Sequence, residues 1–427
     1  MRALAILMAA CAIAGCSGAP DDAQNTGDPN ATDGGASENE AGTSDGSAGD
    51  GGKKSDGGAD GLHVVMGSAG APGHLVDGDG NLVTLHGVDR AGTEYECVDG
   101  PLVFDGPVDQ SAVDAIKSWR ANAVRVPLNE DCWLGINGVT TGGATYRDAI
   151  KTWIDLLRSN GLYVILDLHW AAPGTDLAHD QLGMTDLDHA PTFWSQVAAQ
   201  YGDDSNVIFD LFNEPFITDW NCWLVGGTCA KDDSNADYQV AGMATLLKAV
   251  RNAGAKNVVI LGGLGYSSDF SQWVAKVQSI PTLAAPNDGL TLENVAASWH
   301  TYSSQSEQTL CPSQYNGYST LLSCVDGATN ATNYGVTSVL AAGFPLVTGE
   351  IGIDVYATDP SPYSITQATE LTTWLESSLT YLDSQQQSYL AWEWNTEAAP
   401  LLLSDFDGGV PTPYFGVAYK AHLAALP

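Results

Sequence analysis

Positive charge is scarce in this sequence. Lys and Arg supply 16 of the 427 residues against 51 Asp and Glu, which gives a formal net charge of -35 at pH 7. A surface this acidic repels phosphate backbones, so nucleic acid is not expected as a partner. The ordinary consequence of such a charge is solubility.

The chain also lacks the motifs of several enzyme classes. Residues 61–427 contain no glycine-rich phosphate-binding loop and no Gly-x-Ser-x-Gly nucleophile elbow. No Cys-x-x-Cys or paired histidine accompanies its cysteines, so a zinc site is not expected. Residues 77–81 begin like a calcium loop, but Leu82 replaces the required glycine and Val88 the closing glutamate, which predicts a hairpin turn. We therefore expect neither a cofactor nor a metal centre.

The first sixteen residues are identified as an export signal. Arg2 supplies the positive start, residues 3–12 a short apolar core, and residues 13–16 (Ile-Ala-Gly-Cys) a cleavage site of small residues. The core is too short to span a bilayer permanently. The last four residues resemble the lipobox of bacterial lipoproteins, which predicts lipidation at Cys16; the alternative is an ordinary secretory signal. We expect an exported protein that is held at the outer membrane or cell surface and contacts the membrane only through this lipid anchor. If the anchor is not used, we expect the protein to be secreted.

Residues 17–60 contain mostly Gly, Ser, Ala, Asp, Asn and Thr, with almost nothing to bury. Such a composition predicts a flexible spacer, because burial cannot offset the entropy of ordering. Residues 61–427 are then expected to form one large catalytic domain, and a monomer.

Within that domain, apolar β-branched runs that end in a polar or aromatic residue recur along the chain. Their ends are separated by 38 residues (Gly262 to His300) to 50 residues (His300 to Glu350), and amphipathic stretches lie between them. With an opening strand over residues 82–88, the pattern predicts eight strands and eight helices in an α/β fold, the (β/α)8 TIM barrel. Catalytic residues of such barrels lie at the C-terminal ends of the strands. The runs end at Arg125, His169, Glu214, Gly262, His300, Glu350 and Trp392.

Two of these runs end in a glutamate, Glu214 and Glu350. Glycoside cleavage requires one carboxyl group to protonate the leaving oxygen and a second to attack or to activate water. Asn213 precedes Glu214, and an amide beside the acid can bind the sugar 2-hydroxyl. This predicts Glu214 as acid/base and Glu350 as nucleophile.

Other strand-end residues are predicted to support this pair. Arg125 can keep Glu350 ionised, and Tyr302 can donate a hydrogen bond to the same carboxylate. His169 and His300 suit hydroxyl recognition. The alternative for each is a buried core histidine whose hydrogen bonds are made within the protein. Trp392 is the preferred aromatic floor for a sugar, with Trp394 as the alternative because alternate strand residues share a face. Two of four further tryptophans are expected to be exposed for stacking: Trp133, Trp170, Trp220 and Trp223.

Six cysteines remain after the signal peptide and Cys16 are set aside, and fifteen pairings are possible. Proximity along the chain and export to an oxidising compartment favour three disulfides near the catalytic rim. They are Cys222–Cys229, Cys311–Cys324 and Cys97–Cys132.

Seven short motifs, in order and at barrel spacing, together resemble glycoside hydrolase family 5, a large retaining family of endoglucanases and mannanases. The resemblance covers nearly all of the predicted domain and implies the same roles for Glu214 and Glu350. The motifs lie at residues 85–89, 122–127, 167–170, 213–215, 299–302, 349–352 and 392–395.

The sequence thus predicts a retaining, endo-acting β-glycoside hydrolase that cleaves a plant-type β-glucan such as cellulose, with a β-linked polysaccharide or oligosaccharide as its partner. The closest alternative is a β-mannanase or another β-glycanase or β-glycosidase of the same family. Alternatives of other classes are a catalytically silent glycan-binding barrel on the cell surface and a metal-dependent barrel hydrolase.

Overall fold

Eight parallel strands close into a barrel. The computed structural model describes residues 61–68, 70–229, 238–283, 290–302, 336–353, 365–397 and 400–427. The predictions for the export signal, Cys16, the spacer and Cys311–Cys324 lie outside these residues. The strands are β1 (His86–Asp89), β2 (Ala123–Asn129), β3 (Tyr163–Trp170), β4 (Val207–Asp210), β5 (Val259–Gly262), β6 (Val295–Tyr302), β7 (Leu346–Gly352) and β8 (Ser388–Ala391).

Each strand is followed by a helix on the outside of the barrel, which confirms the predicted (β/α)8 architecture. Nearly every strand residue is buried, because one face packs on the helices and the other fills the barrel. The outer helices are Gln110–Ser118, Ala144–Ser159, Ala190–Tyr201, Met243–Asn252, Trp273–Leu283, Val336–Ala341, Ile365–Ser384 and Phe415–Ala425. Short helices in the loops are Glu96–Asp99, Glu130–Leu134, Trp220–Val225 and Leu264–Ser267.

The inward-facing residues form an apolar layer near the N-terminal ends of the strands. Ala123, Ile165 and Ile208 belong to this cluster, together with Val347 and Leu390. Because strand side chains alternate between faces, the residues two positions further along also point inward. In β2, β3 and β4 these next residues are charged: Arg125, Asp167 and Asp210. The interior of the barrel thus changes from an apolar layer to a polar layer over two residues of these strands.

The predicted opening strand, residues 82–88, is divided in the structure. Leu82–Val83 joins a small antiparallel sheet with His63–Val65 and His74–Val76, and the barrel strand begins only at His86. The turn before Leu82 is the predicted hairpin turn: Asp77 Oδ1 accepts hydrogen bonds from the backbone N–H groups of Asp79 and Asn81. Two further antiparallel pairs are Gly227–Cys229 with Tyr238–Val240 and Leu403–Asp405 with Val410–Pro411.

Two of the predicted disulfides are present. Cys97–Cys132 links the loops after β1 and β2, and Cys222–Cys229 closes a short loop after β4, each with a Cα–Cα distance of 6.2 Å. Both are at the end of the barrel where the strands terminate. Within the described ranges, no helix combines the length and apolarity needed to cross a bilayer.

Candidate active site

The polar layer is centred on Arg125, whose side chain is fully buried. Its Nη1 donates to Glu350 Oε1 at 2.9 Å and to Asp89 Oδ1 at 3.1 Å. Its Nη2 lies 3.0 Å from Asp167 Oδ2, and its Nε donates to Asp210 Oδ2 at 3.2 Å. Burial among these carboxylates raises the pKa of Asp210 to about 7 and that of Asp89 well above its usual range. One cation therefore holds four acidic groups together.

Glu350 lies within β7, with 3% of its surface exposed. Besides Arg125, it accepts a hydrogen bond from the Tyr302 hydroxyl on Oε2, so both carboxylate oxygens are held in place. The preceding residue must be small: a Cβ on Gly349 would lie 2.8 Å from His300 Nε2 and 2.9 Å from Ser298 Oγ. Gly349 therefore allows His300 to approach the carboxylate.

Glu214 lies in the loop after β4, whereas Glu350 lies within a strand. β4 ends at Asp210, and Glu214 lies four residues beyond it, with a left-handed backbone (φ 50°) that is uncommon for a residue other than glycine. Gln181 Nε2 donates to its Oε2 at 2.7 Å. Burial raises the pKa of the Glu214 carboxyl, and the Gln181 hydrogen bond opposes the rise. Glu214 is therefore suited to hold a proton above the usual range of a glutamate.

His300 lies between the two glutamates. Its Nδ1 is 3.1 Å from Glu214 Oε1 and 3.5 Å from Glu350 Oε2. One oxygen of each carboxylate and one His300 nitrogen lie within 4.8 Å of one another. Burial lowers the pKa of His300 to about 4, so the ring is neutral at ordinary pH. The structure thus brings the two predicted glutamates within reach of a single glycosidic bond.

His169 faces the pair from β3. Its Nδ1 lies 2.8 Å from Asp167 Oδ2, and its Nε2 lies 3.3 Å from Asn213 Nδ2. Burial lowers the pKa of His169, but the adjacent Asp167 outweighs this effect and raises the pKa to about 8. Asn213 is also held by Arg125, whose Nη2 donates to Asn213 Oδ1 at 2.9 Å. Arg125 thus fixes the amide beside Glu214, and His169 lies against the nitrogen of the same amide.

Of the two tryptophans predicted as a floor, only Trp392 is partly exposed at the site. Its ring stacks on His169, with centroids 5.1 Å apart and planes 10° from parallel. Trp394 was the weaker alternative and is 1% exposed, packed edge-on against Trp119. The stacking role of Trp394 is therefore wrong: its ring belongs to the core.

The expectation that two of four further tryptophans are exposed is also wrong. Trp170 alone among them is partly exposed, near Tyr95, whose ring centroid is 6.4 Å away. The other three are buried between the barrel and its helices: Trp133, Trp220 and Trp223.

A cleft of about 900 Å³ opens beside Glu214. It is lined mainly by the loop that follows β3, between Ala171 and Asp188, and by Tyr238 and Gln239. Gln181 belongs to this lining and also donates to Glu214, which connects the cleft to the glutamate pair.

The sequence did not identify Gln181 as a site residue, because it lies in a loop with no periodic pattern. It also gave no role to Asp89, Asp167 and Asp210. These three could have been found, since each follows an inward-facing strand position by two residues.

Comparisons with known proteins agree with this geometry. The model of the family "Cellulase (glycosyl hydrolase family 5)" matches residues 78–398. The chain is 27% identical over 195 residues to Endoglucanase E-5 of Thermobifida fusca (45% of this chain, 34% of that protein). It is 26% identical over 229 residues to Cellulase CelDZ1 of a Thermoanaerobacterium species (53% and 50%). The matched part thus spans half or less of these relatives.

Solved structures show the same fold. The β-glucanase SdGluc5_26A of Saccharophagus degradans, solved with cellotetraose, aligns with a TM-score of 0.56 at 17% identity, covering 85% of this chain and 93% of that one. A triple variant of an endo-β-1,4-glucanase from Xanthomonas axonopodis pv. citri aligns with a TM-score of 0.55 at 19% identity, covering 80% and 100%.

Proposed function

Because this chain belongs to the cellulase family, glycosyl hydrolase family 5, we propose that it is a β-glycoside hydrolase that cleaves a β-glucan such as cellulose inside the polymer and with retention. The observation that carries the proposal is the closeness of Glu214 and Glu350, with one oxygen of each carboxylate within 4.8 Å of the other. Retaining enzymes place their two carboxyl groups about 5 to 5.5 Å apart, whereas inverting enzymes need about 6.5 to 9.5 Å to admit a water.

The chemistry proceeds in two displacements. Glu350 attacks the anomeric carbon while Glu214 gives its proton to the glycosidic oxygen, so the leaving sugar departs neutral and a glycosyl ester forms on Glu350. Glu214, now ionised, takes a proton from water, which attacks the same carbon and releases Glu350. The raised pKa of Glu214 suits the first role.

The surrounding residues bind and orient the sugar. In this proposal Asn213, whose side chain is held by Arg125, binds the 2-hydroxyl of the sugar beside Glu214, a contact that strengthens as charge develops at the ring. Trp392 offers the partly exposed face on which a pyranose ring can stack.

The substrate class is supported by the named relatives, which are an endoglucanase and a cellulase, and by the neighbour solved with cellotetraose. A screen with the full chain tests it. Carboxymethyl cellulose and soluble β-glucan should lose viscosity faster than they gain reducing ends, the signature of endo action. Preference for mannan, xylan or galactan would replace the glucan assignment, and failure to cleave any β-glycan would favour a silent binding barrel.

The pH profile is expected to depend on Gln181. Its hydrogen bond stabilises ionised Glu214, so Gln181→Met should raise the pKa of Glu214 further. The acid form would then persist to higher pH, and the alkaline limb of kcat/KM should move upward. Gln239→Met is the matched control, because Gln239 lines the same cleft but bonds to Thr228. An unchanged or lowered alkaline limb in Gln181→Met would contradict this role.

A further inference from the structure

A second group of acidic side chains lies apart from the glutamate pair, between the loops after β2 and β3. Glu130 begins helix Glu130–Leu134, and Asp186, Asp188 and His189 directly precede helix Ala190–Tyr201. One ligand atom each of Asp186, Asp188 and His189 lie within 4.8 Å of one another, and the same is true of Glu130, Asp131 and His189. His189 is therefore common to both sets.

Two of these carboxylates, Glu130 and Asp186, are buried beside each other with His189 as the basic side chain that they pair with among the described residues; Asp186 Oδ1 also accepts the backbone N–H of His189 at 2.8 Å. The side chains of Glu130 and Asp186 are 0% exposed. Neither oxygen of Glu130, nor Asp186 Oδ2, receives a well-aligned hydrogen bond. Among the described residues, the ion pairs of these two carboxylates are with His189, and none is with Lys or Arg. Two buried carboxylates that share one histidine are costly to ionise, so a bound cation would stabilise their ionised forms.

The ligand atoms converge around His189. Its Nδ1 lies 3.8 Å from Glu130 Oε1, 3.6 Å from Asp186 Oδ1 and 3.3 Å from the carbonyl oxygen of Ala172. Atoms bound at about 2.0 to 2.2 Å to one ion lie roughly 3.0 to 3.8 Å apart for angles between 90° and 120°. Asp188 Oδ2 lies 4.0 Å from His189 Nε2, on the rim of the group, and accepts the Gly174 N–H at 2.9 Å.

We propose that Glu130, Asp186 and His189 bind one divalent metal ion, with the Ala172 carbonyl and Asp188 as further ligands. Carboxylate and carbonyl oxygens suit hard cations, and one imidazole shifts the preference towards Mn²⁺ over Ca²⁺.

The ion would tie together two loops at the catalytic end of the barrel. The loop after β3 already rests on the Glu130 helix, since Ala178 N–H donates to Asp131 Oδ2 at 3.0 Å. The same loop carries Gln181 and lines the cleft. The role of the metal is therefore structural, and the hydrolytic chemistry at Glu214 and Glu350 does not require it.

The test is Mn²⁺ binding to the full-length protein after removal of metals. Electron paramagnetic resonance measures free Mn²⁺ during a titration, and a thermal melt follows stability. We expect one tightly bound Mn²⁺ and a rise in Tm of several degrees, reversed by a chelator. Glu130→Gln should abolish the tight site, and Asp188→Asn, at a residue whose side chain is 51% exposed, should weaken it about tenfold without affecting folding.

The acidic surface will also bind Mn²⁺ weakly, so a control with the same charge change is essential. Asp203→Asn removes one exposed carboxylate outside the group and should leave both the stoichiometry and the Tm rise unchanged. The proposal is overturned if the wild-type protein binds no more Mn²⁺ than Glu130→Gln does. It is equally overturned if Asp188→Asn and Asp203→Asn have the same effect.

Discussion

Glu350→Gln is expected to abolish glycoside turnover while the protein remains folded. Gln keeps the shape of the side chain and can still accept from Arg125, but it cannot form the glycosyl ester. We expect kcat to fall by roughly 10⁴-fold or more, the scale on which a member of a catalytic unit acts. Initial rates on an aryl β-glycoside, together with an unchanged circular dichroism spectrum, provide the measurement.

Two controls make this result specific. Glu376→Gln removes a carboxylate from the exposed face of an outer helix and should leave the rate unchanged. Azide should rescue Glu350→Ala by attacking from the vacated side, giving an α-glycosyl azide, whereas Glu214→Ala should give the β-azide by way of the glycosyl ester. If Glu350→Gln keeps a rate near that of the wild type, the nucleophile is another residue.

Arg125→Met is expected to cause the largest loss of stability. Its removal leaves four buried carboxylates, those of Asp89, Asp167, Asp210 and Glu350, without their cation. Loss of one partner of a buried ion pair costs about 3 to 5 kcal/mol. Urea denaturation should therefore show a fall of at least that size in the free energy of unfolding.

The comparison for this variant is Arg158→Met. Arg158 is partly exposed and pairs with Asp204, whose side chain is 40% exposed, and an ion pair in contact with water contributes about 0 to 1 kcal/mol. Without Arg125 the buried carboxylates would bind protons more readily in the folded protein than in the unfolded chain. The loss in the free energy of unfolding should therefore become smaller as the pH falls below neutrality. Equal losses in the two variants, or a deficit independent of pH, would contradict the role given to Arg125.

The barrel and its two glutamates are predictable because they depend on local patterns. Fully covered parallel strands require continuous apolar runs, and the polar residue that ends each run marks the catalytic end. Glu350 follows this rule closely. Glu214 follows it in sequence only, since three residues in irregular conformation separate it from the end of β4.

The sequence predictions are wrong or missing where the regular strand pattern stops. Alternation should place Trp394 on the same face as Trp392, but β8 ends at Ala391, so the rule no longer applies and Trp394 enters the core. The run over residues 82–88 appears continuous, yet it serves two sheets. Gln181 and the Glu130 group depend on how a loop folds back on the barrel, which a single sequence does not encode in any periodic signal.

The anomeric configuration of the first product tests the two-glutamate mechanism most directly. Proton NMR during hydrolysis of a cello-oligosaccharide, recorded before mutarotation, should show the β-anomer at the newly formed reducing end. Retention is expected because one oxygen of Glu214 and one of Glu350 lie within 4.8 Å of each other, a short spacing that is typical of retaining enzymes. Appearance of the α-anomer first would mean inversion and would contradict Glu350 as a nucleophile.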